Sequence, residues 1–146
     1  MAATYRLGTA RRLANALIRA LLRVGLGPPR TYLLTVRGRK TGRLLSTPVT
    51  LVEAEGRRWL VSPYGEVAWV RNTRAAGRVT LARGRHAETV AVRELAPTES
   101  APVLKRYVTE VPITRPYFDV RTDSPLAAFV AEAPRHPVFL IEPTTR

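Results

Sequence analysis

The stretch TYLLTVR-GRKTG-RLLSTPVTLVEA, residues 31–54, decides the fold class. Its first seven residues are rich in Thr, Tyr, Leu and Val, the types that suit a pleated, half-buried surface. Gly38-Arg-Lys-Thr-Gly42 then supplies two glycines within five residues, a turn signal. Residues 44–54 return to strand composition, so the segment reads as a β-hairpin. Downstream, Glu55-Gly56 predicts a tight turn and RRWLVSP, residues 57–63, a third strand. RVTLA and HAETVAVREL flank a short turn at Arg83-Gly84, and HPVFLIE, residues 136–142, forms a last strand. Short helices are expected over Glu66–Ala76, over Thr98–Glu110 and after Asp123-Ser124-Pro125, with the proline in the first turn. Five or six mostly hairpin-connected strands favour an antiparallel barrel or an α+β sheet over a parallel βαβ fold.

Upstream of residue 31 the period changes. Leu13, Leu17, Leu21 and Val24 recur at helical spacing, with Ile18 and Leu22 beside them and arginines mostly elsewhere on the wheel. Residues 9–25 thus read as a basic amphipathic helix. Thr9 is its candidate N-cap and Gly25 or Gly27 its stop, before Pro28-Pro29. The helix either covers the barrel or lies on a membrane surface. Arg19 and Arg23 interrupt the apolar run and no small-x-small cleavage site follows, so a signal peptide is not expected, and no run of 18 apolar residues suggests a transmembrane helix.

At 146 residues the chain is expected to form one domain, with a helical extension over 1–30 and a β-domain over 31–146. There is no cysteine, so disulfides and thiolate chemistry are excluded. The two histidines are too few for a His-based metal site, so no metal is expected, and a His–carboxylate dyad would be a coincidence. His86 reads as exposed and His136 as structural.

The chain carries 24 Lys+Arg against 11 Asp+Glu, a net charge of +13. The imbalance is concentrated: no acidic residue precedes Glu53, whereas Arg6, Arg11, Arg12, Arg19, Arg23, Arg30, Arg37, Arg39, Lys40 and Arg43 do. Such a segment implies an anionic partner. Nucleic acid is not expected, because no recognition motif is present and aromatics make up only 7% of the chain. The densest cluster is Arg37 to Arg43, which reads either as a solvated basic hairpin tip or as cations and glycine-freed backbone that suit a phosphate or carboxylate. It lacks the GK[ST] order of a P-loop. A second cluster, Ser62 to Asn72, runs from a strand end into a helix and suits a pocket rim. Tyr107, Tyr117 and Phe118 form a third, in which Tyr117 either packs a loop or donates a proton to a reduced product.

Together LLTVRGRKTGRLLSTPV and WLVSPYGEVAWVRNTRAAGRVTL resemble the deazaflavin-dependent nitroreductase and quinone reductase family, small actinobacterial oxidoreductases. The resemblance runs from about Thr31 to Leu95 and is carried by Gly38, Arg39, Lys40, Thr41, Gly42, Thr47, Pro48, Ser62, Trp69 and Asn72. It implies a split β-barrel of about six mostly antiparallel strands, like the FMN-binding split barrels, with peripheral helices. The implied cofactor is coenzyme F-420, an anionic 8-hydroxy-5-deazaflavin, in preference to FMN. Arg39 and Lys40, with Thr41, Gly42 and Arg43 on the same turn, would hold its phosphate and glutamate tail. Thr47, Pro48 and Val49 would lie along the ring, as would the loop holding Ser62 and Tyr64. Trp69 and Asn72 would support the pocket. Ser62 and Tyr117 are the candidates for catalytic contact. Reduced cofactor would pass a hydride from ring carbon 5 to a quinone, nitroaromatic or activated alkene. A non-enzymatic membrane-associated module, or a flavin- or haem-binding one, is the alternative. The expected protein is a cytoplasmic monomer or weak homodimer, peripheral to the membrane if residues 9–25 bind there.

Overall fold

The computed structural model describes residues 8–143. Side chains alternate along the strands as the pleat requires, and the inward set closes on itself. Leu34, Val36, Val49, Leu51, Leu60, Val79, Leu81, Val90, Phe139 and Ile141 fill one interior. The strands are β1 (Thr31–Arg37), β2 (Leu44–Ala54), β3 (Arg57–Val61), β4 (Arg78–Arg83), β5 (His86–Glu94) and β6 (Val138–Ile141). They form a closed barrel in the order β1-β2-β3-β6-β5-β4, every pairing antiparallel. This is the expected split-barrel α+β architecture. Hairpin chemistry matches the residues. Glu55 has a φ of 53° and Gly56 a φ of 76°. These are the two left-handed positions of a type I′ turn.

The helices are α1 (Thr9–Arg23), α2 (Ala68–Ala76), α3 (Pro97–Glu110) and α4 (Leu126–Glu132). A second core joins α3 and α4 to the barrel wall through Leu104, Tyr107, Phe118, Phe129, Val52 and Val61. Several boundaries differ from the sequence reading. The third strand stops at Val61, because Ser62 to Gly65 turns away to feed α2, which starts at Ala68. Pro125 occupies the cap position of α4, not its first turn. Gly8, not Thr9, is the cap residue of α1. β6 is shorter than the reading, because Pro137 precedes it and His136 lies outside it.

The apolar faces of α1 divide in an unexpected way. Leu22 is fully buried and Ile18 half-buried against the barrel. Leu13 and Leu17, read as the same apolar face, remain 67% and 61% exposed, and Val24 is exposed as well. At about 100° per residue, Leu13 lies opposite Leu22, so the helix carries two apolar stripes. The barrel-facing stripe is pinned at its end. The Gly84 N–H donates to Leu22 O at 2.6 Å, and a Cβ on Gly84 would stand 3.1 Å from Gly25 Cα. Gly84 is therefore required by close backbone approach as well as by its φ of 61°.

Candidate functional site

The site begins with a change of partner in β2. Leu44–Thr50 pairs with β1, whereas Leu51–Ala54 pairs with β3. Over the first segment one backbone edge therefore lacks a strand. Successive residues of a strand turn their N–H and C=O to opposite sides. The Leu51 N–H reaches Arg30 O on the β1 side, and Ser46 O accepts from Arg19 Nη2 at 3.0 Å on the other. Ser46, Pro48 and Thr50 consequently face the open edge. Pro48 is tolerated there because no ladder bond needs its missing N–H.

This edge floors a cleft of about 800 Å³. Leu45 to Thr50 line it along the strand. Pro63, Tyr64, Val67, Ala68, Trp69 and Asn72 form one wall, and the end of α3 with Val111 to Thr114 forms another. Asn15, Ile18 and Pro28 to Thr31 close it from the α1 side. Thr31 and Thr50 share a hydroxyl hydrogen bond of 3.0 Å across the floor.

Asn72 joins the cleft to the basic turn. It is buried, and its Oδ1 accepts from the Arg39 backbone N–H at 3.1 Å and from Arg39 Nη1 at 2.8 Å. Arg39, Lys40, Thr41, Gly42 and Arg43 are exposed on that turn. The turn closes on itself: the Gly38 N–H donates to Arg43 O, Gly42 N–H to Gly38 O, and Arg43 N–H to Thr41 Oγ1. With Arg39 N–H also committed, the glycines shape the loop while side-chain cations present the charge. The backbone cradle expected from the glycines is thus largely occupied internally. The helix behind is braced from outside. Arg74 of α2 makes two bonds of 2.8 Å to the Glu94 carboxylate and one of 2.7 Å to Glu66.

The other sequence candidates fall in different places. Thr47, Pro48, Val49, Tyr64 and Trp69 line the cleft, with Trp69 packed on Phe139 at a centroid distance of 6.1 Å. Ser62 does not. It is fully buried, its Oγ donates to Gly65 O at 2.6 Å, and its N–H donates to Pro137 O. Its hydroxyl is used to shape the loop. Tyr117 lies in the 3₁₀ turn Pro112–Tyr117 and meets the wall edge-on through Tyr64, at 4.9 Å. Tyr107 also lines the cleft, and burial pushes its pKa well above the usual range, against a hydrogen bond with Thr114.

Sequence reasoning missed the electrostatics of the cleft mouth. Glu110 and Arg30 both line it, 3.8 Å apart, and Arg106 Nε meets Glu110 at 3.0 Å. It also dismissed a His–carboxylate dyad that the fold builds. His136 Nε2 lies 2.7 Å from Glu132 Oε2 and Nδ1 lies 2.9 Å from Pro63 O, with both side chains buried. The signal available was the i,i+4 spacing of Glu132 and His136. Burial pulls the imidazole below its ordinary pKa, a shift opposed by Glu132. Among the described residues no group of three potential ligands could hold a metal, and no helix is long and apolar enough to cross a membrane.

The fold recurs in known structures. One chain described as a domain-swapped dimer is 22% identical, with 91% of this chain and 96% of that chain covered at a TM-score of 0.58. An F420-H2 dependent reductase is 25% identical over 78% of this chain and 95% of its own, at a TM-score of 0.54. A protein from Agrobacterium tumefaciens superposes at 0.57 with 14% identity, over 97% of this chain and 57% of its own. No curated protein matches the sequence. The family model described as F420H(2)-dependent quinone reductase matches residues 9–133. The chain belongs to the F420H(2)-dependent quinone reductase family and is an oxidoreductase dependent on that reduced cofactor.

Proposed function

We propose that the cleft along β2 is where this reductase holds coenzyme F-420 and a small acceptor: a quinone, a nitroaromatic or an activated alkene. The observation that carries this reading is the strand-free edge of Leu44–Thr50, which floors an open cleft tied through Asn72 to an exposed cationic turn. A flat ring fits beside such an edge, where Thr47, Pro48 and Val49 contact its face or rim. Tyr64 and Trp69 enclose it and exclude water. Arg39, Lys40 and Arg43, on a turn shaped by Thr41 and Gly42, bind phosphate and carboxylate groups by charge-assisted hydrogen bonds. When bound, the reduced cofactor supplies the hydride, and the protein contributes placement and electrostatics. Ser62 acts by shaping the wall rather than by touching the reactants. Tyr117 acts through Tyr64.

Fluorescence titration with oxidised coenzyme F-420 tests the assignment. Binding at tens of micromolar or tighter is expected. Arg39→Ala and Lys40→Ala should each weaken it, since a hydrogen bond to a charged group is worth about 1.5–3 kcal/mol. Unchanged affinity in both variants would remove the turn from the site. A panel of quinones, nitroaromatics and enones, offered with reduced cofactor, identifies the acceptor class.

The outer stripe of α1 supports a second, compatible reading. Leu13, Leu17, Val24 and Leu26 are exposed, and Arg12 and Arg23 stand exposed beside them. An apolar stripe rimmed by cations suits an anionic lipid surface. Flotation with anionic vesicles, lost in Leu13→Glu/Leu17→Glu, is the expected result. No flotation by the wild-type chain refutes it. We also infer a monomer or weak homodimer, which sedimentation resolves.

A further inference from the structure

We propose that His136 is a positioning residue of the hydride-transfer cleft, holding the Pro63–Tyr64 wall through the Pro63 carbonyl in a way that depends on how many protons its ring carries. The role rests on the reading of the β2 cleft as the cofactor site. Both ring nitrogens face oxygen: Nδ1 the Pro63 carbonyl at 2.9 Å, and Nε2 the Glu132 carboxyl at 2.7 Å. A carbonyl oxygen only accepts. Glu132 is held as an acceptor too, since Arg135 Nη2 donates to its Oε1 at 2.6 Å and the Asp119 N–H donates to its Oε2 at 3.2 Å. Two acceptors therefore address one imidazole, and both bonds form only when the ring carries two protons.

With one proton, the ring satisfies one neighbour. The carboxylate is the stronger acceptor, so Nε2–H stays on Glu132 and the lone pair of Nδ1 faces the Pro63 oxygen. The grip on the loop is then lost. Every element around the ring contributes to this balance. Glu132 comes from α4, and Arg135 from the 3₁₀ turn after it. Asp119 ties Arg135 from the loop after Phe118, whose ring stacks on His136 at 3.9 Å. Tyr107 of α3 stands beyond Phe118 at 6.2 Å, and Tyr64 follows Pro63 in the loop itself.

The held carbonyl matters because the residue after it is Tyr64. Pro63 and Tyr64 line the cleft, in a loop held also by Ser62 Oγ to Gly65 O, by the Ser62 N–H to Pro137 O and by the Tyr64–Tyr117 edge contact. Releasing Pro63 O removes the hydrogen bond next to Tyr64 in the segment between β3 and α2. His136 meets the cleft lining at that carbonyl.

The chain has two histidines, so the imidazole nitrogens resolve in an NMR titration of the whole protein. The expected result is that the backbone amides of Tyr64 and Gly65 titrate in step with the His136 ring nitrogens, and that His136→Gln abolishes this. In turnover with reduced coenzyme F-420 and 1,4-naphthoquinone, the wild-type to His136→Gln ratio of kcat/KM should change by about threefold or more between pH 5.5 and pH 8. Tyr64 and Gly65 amides that ignore the His136 titration, or a ratio constant with pH, overturn the proposal. If His136→Gln fails to fold, the wild-type titration decides it. Failure of the cleft reading looks different: wild type that neither binds the oxidised cofactor nor turns over, whatever the amides do.

Discussion

Replacing Asn72 by Asp separates the two jobs that Asn72 performs. Its Oδ1 accepts from the Arg39 backbone N–H and from the Arg39 guanidinium. In Asn72→Ala both bonds vanish. The guanidinium regains water, so the loss is dominated by the part-buried amide, about 1–2 kcal/mol. For a chain of this size that lowers Tm by roughly 3–8 °C. Asn72→Asp keeps the shape and strengthens the contact into an ion pair, so stability should hold within about 1 kcal/mol. Anion binding should nevertheless fall, because the Arg39 charge is now answered from within. With about 1.4 kcal/mol per decade and one charge-assisted bond at stake, cofactor affinity should drop about tenfold. The drop should shrink at high salt, where surface charges are screened. Fluorescence titration of wild type, Asn72→Asp, Arg39→Ala and the double variant forms a cycle. If the loss acts through Arg39, the double variant should be no weaker than Arg39→Ala. Asn72→Asp binding within twofold of wild type would refute the assignment of Arg39 to the anion.

The same geometry sets three further outcomes. Leu22 is fully buried where α1 docks, and Leu17 stands on the exposed stripe. By chemical denaturation Leu22→Ala should cost about 3–5 kcal/mol. Leu17→Ala should cost far less, about 0.5 kcal/mol at most. Ser62→Ala removes the bond to Gly65 O. It should lower stability by about 1 kcal/mol, and a loss in kcat beyond about a hundredfold would make Ser62 a direct participant. Burial holds the His136 pKa below its ordinary 6.5. The unfolded chain therefore binds this proton more tightly, and the site's contribution to stability falls as pH drops below about 6.5. Thermal melts from pH 7.5 to pH 5 should show a decline that is shallower in His136→Gln. Acid thus tightens the Pro63 contact locally while weakening the fold.

Strands and turns were legible because their signals are local. Residues 31–37 and 44–54 lie where composition places them, and Gly77 ends α2 as a left-handed cap. The two faces of α1 were not legible. Leu13, Leu17, Leu21 and Val24 satisfy helical spacing, but spacing cannot say which of two apolar stripes meets the barrel. Docking of Leu22 against the Gly84 turn decides it, and those two residues lie far apart in the chain. Likewise the basic turn was visible as a charge cluster, whereas its attachment to Asn72 joins residues 33 positions apart. Ser62 was singled out by its place in a motif. Its hydroxyl is turned inward by a neighbour three residues on, which composition does not reveal.

One division of polar groups explains the rigidity of the cleft. A buried polar side chain is costly unless its hydrogen bonds are met, so those whose bonds are met mark places where geometry is fixed. Eight such residues are buried among those described, and most of them brace the cleft. Thr31 bonds Thr50 across the floor, and Asn72 holds the basic turn. Ser62 and His136 fix the two ends of the Pro63–Tyr64 segment, with Glu132 behind the imidazole. Thr114 bonds Val111 O on the opposite wall. The lining mixes Pro, Val, Trp and Tyr, which offer shape, with the hydroxyl side chains Ser46, Thr47 and Thr50 along the floor. Arg39, Lys40 and Arg43 instead stand outside on a solvated turn, where a charged tail can be recognised without burying unpaired charge. A wall braced for a ring and a solvated clamp for a tail therefore sit side by side: most buried polar side chains near the cleft are committed to the scaffold, the Arg30–Glu110 pair carries charge into the lining, and exposed cations are gathered on the turn.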